Sequence, residues 1–172
     1  QYKSTLLNAL LDVENSLVNY AEEARNIIAG IRSSTIGANS YLPMLGDWVS
    51  KNGAKYNQWT PRASDFMPDN FRSFAFITGD YTYWNTVIDN SQTVINNLQN
   101  TYSPTTGLLP DFTQGTSLNN IHPVEPNFLE GKNDGNYSYN AGRDPWRLGV
   151  DALLNGDTVS LVETRKISSW IQ

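Results

Sequence analysis

The segment DYTYWNTVIDNSQTVINNLQN, from Asp80 to Asn100, decides the fold class of this chain. Its apolar side chains follow the 3.6-residue period of a helix better than the alternation of a strand, at Trp84, Val87, Ile88, Val94, Ile95 and Leu98. An aspartate directly before such a pattern is a favoured N-cap, because its carboxylate accepts a free backbone N–H. The segment therefore predicts a helix that Asp80 caps and that ends near Asn100.

Four further segments have helical character. Apolar spacing predicts an exposed amphipathic helix from about Ser16 to Arg32, and the same spacing occurs in Leu6–Leu11. Two closing helices are predicted at roughly Pro145–Leu154 and Thr158–Gln172. Since the chain shows little β pattern, the order of helices and long loops predicts an all-α fold built from helical hairpins.

One more helix is expected to end at Gly79, because glycine, which has no Cβ, is typical of a helix end. The stretch Ser64–Pro68 has the form of an N-cap and first turn, with Asp65 at the cap. Ser103–Phe112 is rich in turn-forming residues and predicts a structured loop. Thr113–Tyr137 is polar and long for a connection, which is typical of loops that are either functional or disordered.

Composition limits the classes of function. The chain has 172 residues, 39% hydrophobic and 12% aromatic, enough for one folded domain with a core. A net charge of −5 without a basic stripe argues against a nucleic-acid partner. The absence of Cys and the single His122 exclude disulfides and zinc sites rich in thiolates or imidazoles, and we expect no metal and no cofactor.

The chain also lacks the sequence features of a membrane protein. No apolar run approaches the roughly 20 residues that span a bilayer, so no membrane partner is expected. The sequence starts at Gln1 without an initiator Met, which indicates processing or excision from a longer polypeptide. We therefore expect a secreted, extracellular protein trimmed to a fragment.

The segment Tyr137–Leu148 has the composition of a sugar subsite. It combines aromatic rings, an amide and two guanidinium groups at the entry to a helix. Aromatic faces stack on the C–H surfaces of pyranose rings, while Arg and Asn bind hydroxyls with fixed donor geometry. The alternative is an ordinary helix start, in which Trp146 belongs to the core and Arg143 pairs with a nearby acid.

Four blocks of sequence, the last of which lies within this segment, extend this observation. They are Leu45–Trp48; Ser64–Pro68 followed by Phe71–Phe74 and Thr78–Asp80; Thr106–Phe112; and Tyr139–Arg147. Together they resemble the C-terminal half of the family 8 glycoside hydrolases, over roughly Asn26 to Asp157. The resemblance implies that residues 1–172 form a single domain, the C-terminal portion of a catalytic domain. It also implies part of an (α/α)6 barrel that lacks its N-terminal helices.

The activity that the resemblance implies is inverting, endo-acting hydrolysis of β-1,4-linked polysaccharide. We expect cellulose and mixed-linkage β-glucan first, with chitosan or xylan less favoured. Inversion uses a general acid and a general base about 6.5–9.5 Å apart, with a water between the base and the sugar. Both groups are therefore sought in the sequence.

The base position departs from the commonest pattern of the family. Asn140 stands where the largest branch carries its catalytic Asp, and an amide is not a useful proton acceptor. A second branch, which includes chitosanases and glucanases, takes its base from a Glu in the loop just upstream. That resemblance implies Glu130 as the base, with Glu125 and Asp134 as weaker candidates. The alternative is that Glu130 is a solvated loop charge.

The resemblance assigns the remaining roles. Arg143 would orient the base or the water, and Asn140 would position the water. Candidate substrate contacts are Asp65, Tyr139, Trp146, Trp48 and Trp59, the last two in a distal subsite. Arg147, one helical turn after Arg143, is expected to form a structural ion pair.

The family's block with the general acid is absent from the sequence. Glu14, Glu22 and Glu23 lie in the first amphipathic segment, where we expect them to face water. Half of a helical ring would expose apolar faces, so we expect pairing with a complementary N-terminal fragment or self-association. A second possible function is a catalytically incomplete carbohydrate-binding fragment, and a third is a purely structural helical protein.

Overall fold

The computed structural model describes residues 19–172, and in that part of the chain the fold is all-α, as the sequence predicts. Its helices are α1 (Tyr20–Ser34), α2 (Pro68–Thr78), α3 (Tyr81–Thr101), α4 (Asp144–Asn155) and α5 (Thr158–Ile171). A small antiparallel sheet pairs β1 (Thr113–Gln114) with β2 (His122–Pro123) within the long polar loop. Short 3-10 turns occur at Ala63–Asp65, Leu118–Asn120 and Ala141–Arg143.

The predicted start of the first helix falls partly outside the described residues. Helix α1 begins at Tyr20, and its N-cap Asn19 accepts the Glu22 N–H at 3.1 Å. The predicted residues 16–18, the segment 6–11 and Glu14 lie outside the described part. Glu22 and Glu23 are exposed, as expected.

Helix α3 confirms the prediction from its sequence. The Asp80 carboxylate accepts the Tyr83 N–H at 3.1 Å, and the helix ends one residue beyond Asn100. Nine of its residues are buried, among them all six apolar positions used for the prediction. Helix α3 therefore forms the centre of the described fold, with α2 and α5 packed against it.

The predicted start of α2 is wrong. Ala63–Asp65 forms a separate 3-10 turn, and α2 begins at Pro68 after Met67, which makes no side-chain cap. Proline disfavours helical backbone in the residue before it, so the helix cannot extend back through Met67. Asp65 is therefore not a helix N-cap. The end at Gly79 is confirmed, with the left-handed φ of 72° that suits glycine.

Two apolar clusters make up most of the core. Around the first half of α3, Trp84 stacks on Phe71 with ring centroids 6.0 Å apart. Around the second half, Leu98 packs with Leu109 of the following loop and with Ile167 of α5. The loop after α3 is thus tied to the core, and it carries the next residues, Pro110 and Asp111, to a fixed place beside α4.

Helices α4 and α5 form a hairpin. Gly156 at φ 68° ends α4, and Asp157 caps α5 by accepting the Ser160 N–H at 2.7 Å. The predicted closing helices are confirmed to within one residue at each end. Between residues 19 and 172, no helix is both long enough and apolar enough to cross a membrane.

Candidate active site

Three irregular segments meet beside the start of α4. They are the 3-10 turn Ala63–Asp65, the loop of residues 127–136, and the turn Ala141–Arg143 that leads into α4. An open depression of about 300 Å³ lies on the second segment, lined by Asp111, Glu130, Gly131, Lys132, Asn133, Asp134, Ser138 and Tyr139. Glu130, the candidate base from the sequence, is part of this surface.

The Glu130 carboxylate is held on both oxygens. Its Oε2 accepts a hydrogen bond from Asn140 Nδ2 at 3.0 Å, and its Oε1 lies 3.3 Å from Nη2 of Arg62. The side chain is nevertheless 51% exposed. Glu130 is thus a carboxylate with a fixed direction that water can reach, rather than a loop charge without partners.

Asp134 is built into the loop that carries Glu130. Its carboxylate is buried and accepts the N–H groups of Leu129, Glu130 and Gly131 at 2.7, 3.0 and 2.8 Å. These three hydrogen bonds use most of the acceptor capacity of the carboxylate. The geometry gives Asp134 a loop-holding position, while Glu125 is exposed and lies outside the lining of the depression.

Asn140 is buried beneath Glu130 and oriented by Asp111. The Asp111 carboxylate accepts the N–H groups of Asn140 and Ala141 at 3.3 and 2.7 Å, and Asn140 Nδ2 lies 3.4 Å from it. Because the Nδ2 amide group faces two carboxylates, its orientation is defined by its partners. Asp111 is a buried site residue that the sequence did not reveal as functional.

Asp65 and Arg143 form the second half of the site. Arg143 donates to Ser64 Oγ at 2.9 Å and to Asp65 Oδ1 at 3.3 Å, so it lies against Asp65 and not against Glu130. Burial raises the pKa of Asp65, and the nearby Arg62, Arg143 and Arg147 work in the opposite direction. The guanidinium group in contact with Glu130 belongs to Arg62.

Sequence reasoning missed Arg62. Its side chain is 14% exposed, it lies 4.5 Å from the centre of the Phe112 ring, and its Nε is 3.7 Å from Asp65 Oδ2. One signal was present: Arg62 and Asp65 have opposite charges three residues apart. Its contact with Glu130, 68 positions away, leaves no local pattern in the sequence.

The candidate aromatic contacts differ in exposure. Tyr139 is 91% exposed at the depression, and Trp146 is 60% exposed, so the alternative of a core Trp146 is wrong. Trp48 is exposed and packs edge-on against Tyr56, whose hydroxyl donates to the Phe128 carbonyl in the Glu130 loop at 2.8 Å. Trp59 packs against the core cluster around Leu98 and is only partly buried.

Arg147 does not form the predicted ion pair with any residue from 19 to 172. Its guanidinium group instead lies 4.8 Å from the centre of the Trp146 ring, in cation–π geometry. The Arg147 Nε atom is buried and has no hydrogen-bond partner among the described residues. This contact supports an exposed orientation of Trp146.

Asp144, at the start of α4, is a buried acid beneath the site. Burial raises its pKa well above the usual range, and the neighbouring Asp111 adds to this effect. Its Oδ2 has no hydrogen-bond partner among the described residues. In residues 19–172, no three His, Cys, Asp or Glu side chains are grouped so as to hold a metal ion.

Comparison with known proteins finds glucanases that are similar to this chain. No family model matches the chain. The chain is 40% identical over 154 residues to a β-glucanase of Niallia circulans, covering 90% of the chain and 36% of that protein. It is 38% identical over 157 residues to an endoglucanase of Bacillus sp. strain KSM-330, covering 90% of the chain and 32% of that protein.

A solved structure shares the fold. The apo structure of a β-1,3-1,4-glucanase from Paenibacillus sp. X4 matches with a TM-score of 0.85 at 38% identity, over 91% of this chain and 40% of that one. The chain spans about a third of the length of the curated relatives it matches.

Proposed function

We propose that this chain carries the general-base side of the active site of an inverting, endo-acting glycoside hydrolase of family 8. The observation that supports this most directly is Glu130, a water-accessible carboxylate held by Asn140 and Arg62 at a loop depression. The names of the relatives favour a β-glucan substrate. The linkage hydrolysed would be β-1,4, in cellulose or mixed-linkage glucan, with chitosan and xylan less favoured.

In the reaction, Glu130 removes a proton from a water as the water oxygen attacks the anomeric carbon. The glycosidic C–O bond breaks on the opposite face, and the general acid gives its proton to the leaving oxygen. Asn140 and Arg62 hold the carboxylate towards the water. The exposed rings of Tyr139 and Trp146 offer stacking surfaces for sugar units, and Asp65 and Arg143 offer hydrogen bonds to hydroxyls.

The general acid would come from outside residues 19–172. The relatives are about three times longer than the matched segment, and their remaining part would complete an (α/α)6 barrel around the site. Large apolar side chains of the described helices are exposed, among them Phe76 at 77% and Leu153 at 83%, and another part of the protein would cover them. This supports pairing with a complementary N-terminal part or self-association. A stable monomer in sedimentation experiments, with no partner bound, would contradict it.

Secretion is part of the same proposal. A glucan polymer is too large to enter a cell, so an enzyme that cuts it internally meets its substrate outside. Detection of the chain in culture supernatant, with a cytoplasmic marker absent, would support this location.

The test is hydrolysis by the chain and its Glu130→Gln variant. Reducing-sugar release from lichenan, carboxymethylcellulose and chitosan is measured for the purified chain, alone and mixed with the part of the Niallia circulans β-glucanase that this chain does not match. We expect Glu130→Gln to lower turnover by roughly 10²–10⁴-fold, the usual contribution of a general base. Glu125→Gln is the matched control, because that glutamate is exposed and outside the depression. Full activity of Glu130→Gln would refute the assignment.

A carbohydrate-binding fragment without catalysis is the second candidate. The observation that favours it is the pair of exposed aromatic rings, Tyr139 and Trp146, together with the lack of the family's acid block in this sequence. Binding of soluble β-glucan in affinity electrophoresis, weakened by Tyr139→Ala and without any change in polymer length, would support this function over hydrolysis.

A further inference from the structure

Arg62 is anchored more firmly than the loop residue it contacts. The preceding carbonyl, of Pro61, accepts both the N–H and the hydroxyl of Thr113, at 3.2 and 2.6 Å. The guanidinium group lies over the ring of Phe112, which is fully buried. Stacking on an aromatic face suits the planar guanidinium group and limits its rotation. Arg62 is therefore a fixed cation at the edge of the depression.

Glu130, by contrast, lies on a loop without regular secondary structure and is half exposed. A glutamate in that setting samples several side-chain directions unless partners restrict it. Arg62 Nη2 contacts Oε1 at 3.3 Å, while Asn140 Nδ2 contacts Oε2 at 3.0 Å. Each carboxylate oxygen thus has one donor and keeps a lone pair for water.

Arg62 also reaches the other half of the site. Its Nε lies 3.7 Å from Asp65 Oδ2, so one guanidinium group stands between the candidate base and the candidate substrate contact. The other charged groups at the depression around Glu130 are Asp111, Lys132 and Asp134. Of the arginines between residues 19 and 172, only Arg62 forms an ion pair with Glu130.

We infer that Arg62 is a positioning residue for the general base, fixing the direction of the Glu130 carboxylate. This inference rests on the proposed function. The effect of the Arg62 charge and the effect of its side-chain geometry can be separated by two substitutions. Arg62→Gln removes the charge, whereas Arg62→Lys keeps a cation but cannot stack on Phe112 and reach both carboxylates in the same way.

The first test needs no activity. Side-chain NMR relaxation of Glu130 is measured in the 172-residue chain and reports how strongly the direction of the side chain is restricted. We expect the order parameter of the Glu130 side chain to fall in Arg62→Gln, because one of its two partners is lost. Arg62→Lys should show a smaller fall. Arg165→Gln, which removes an exposed charge on α5, is the control and should show none. An unchanged order parameter in Arg62→Gln would overturn the inference.

The second test uses the catalytically competent mixture. Arg62→Gln should lower kcat by roughly tenfold or more with KM within about twofold, because the base is held less well in the transition state. Arg62→Lys should recover part of the lost kcat. A merely structural Arg62 would lower the melting temperature without this selective loss of kcat, which would refute the inference. If Glu130→Gln retains full activity, the proposed function fails instead, whatever the NMR relaxation shows.

Discussion

Two arginines of this chain each bridge a pair of carboxylates, and they do so in different ways. Arg72 of α2 contacts Asp151 of α4 at 2.7 Å and Asp157, the cap of α5, at 2.8 Å. Arg62 contacts Glu130 at 3.3 Å and Asp65 at 3.7 Å, and both of its partners lie on irregular segments. Arg72, Asp151 and Asp157 form a closed cluster between helices. Arg62, Asp65 and Glu130 form an open cluster at the depression.

The closed cluster leaves little acceptor capacity unused. Asp151 is fully buried and also accepts hydrogen bonds from Ser160 Oγ at 2.8 Å and Asn155 Nδ2 at 3.0 Å. The hydrogen bond to Asp151 and the charges of both aspartates raise the pKa of Arg72, against the effect of its burial. Around Arg62, Glu130 keeps exposed lone pairs. The comparison indicates that arginine–carboxylate contacts hold helices together in one region and leave a carboxylate accessible to water in the other.

The largest effect we expect concerns Glu163, a buried acid of α5 beside the closed cluster. Burial first, and the charges of Asp157 and Asp151 next, raise its pKa from 4.5 to about 8. The folded protein therefore holds this proton more tightly than the unfolded chain. Its contribution to stability is complete below pH 4.5 and is lost as the pH rises through about 8.

The free energy of unfolding should thus fall by up to about 5 kcal/mol over that interval. Glu163→Gln, which mimics the neutral acid, should flatten the decline in urea titrations repeated at several pH values. An unchanged slope in the variant would show that Glu163 is not the group whose ionisation lowers the stability.

The next effect concerns Asp151. We expect Asp151→Ala to lower the free energy of unfolding by about 3–5 kcal/mol, because it leaves a partly buried guanidinium group and a buried hydroxyl without their acceptor. Urea unfolding of the chain measures this. Asp89→Ala, at an exposed position of α3, is the control and should stay within about 0.5 kcal/mol of the wild type. A small loss in Asp151→Ala would remove the distinction between the two clusters.

Local features of this chain could be predicted from its sequence, whereas contacts between distant positions could not. Helix α3 was predictable because its apolar period and its Asp80 cap are local features. Glu130 came from a family resemblance, and the structure adds its hydrogen bond with Asn140. Arg62 and Asp111 were missed because their partners lie 68 and 29 positions away. Such contacts depend on how the loops pack.

The error at Asp65 has a different cause. Its sequence context suited a helix cap, yet Pro68 prevents the helix from starting at that point. Asp65 is thereby left with its carboxylate directed at Arg62 and Arg143 instead of at backbone N–H groups. The preference of Asp65 for a helix cap therefore conflicts with the effect of Pro68 on the preceding backbone, and the effect of Pro68 is the stronger.

The third effect concerns Asp134, a carboxylate that holds the loop beside the open cluster. Asp134→Ala removes the acceptor of three backbone N–H groups, and we expect a loss of about 1.5–3 kcal/mol in unfolding free energy. Turnover should fall together with it, because the loop that carries Glu130 loses its internal hydrogen bonds. Asp134→Asn keeps one acceptor oxygen and should lose less of both. Normal stability in Asp134→Ala would mean that the loop is held from outside.

The smallest effect on stability is expected at Arg62, and it decides the comparison. Arg62 Nε lies 3.7 Å from Asp65, and this buried atom has no hydrogen-bond partner among the described residues. Glu130 is half exposed, and ion pairs of that kind contribute about 1 kcal/mol or less. Arg62→Gln should therefore unfold in urea within about 1 kcal/mol of the wild type while its turnover falls. If it unfolds as readily as Asp151→Ala, Arg62 holds the fold as Arg72 does, and the division into a closed and an open cluster is wrong.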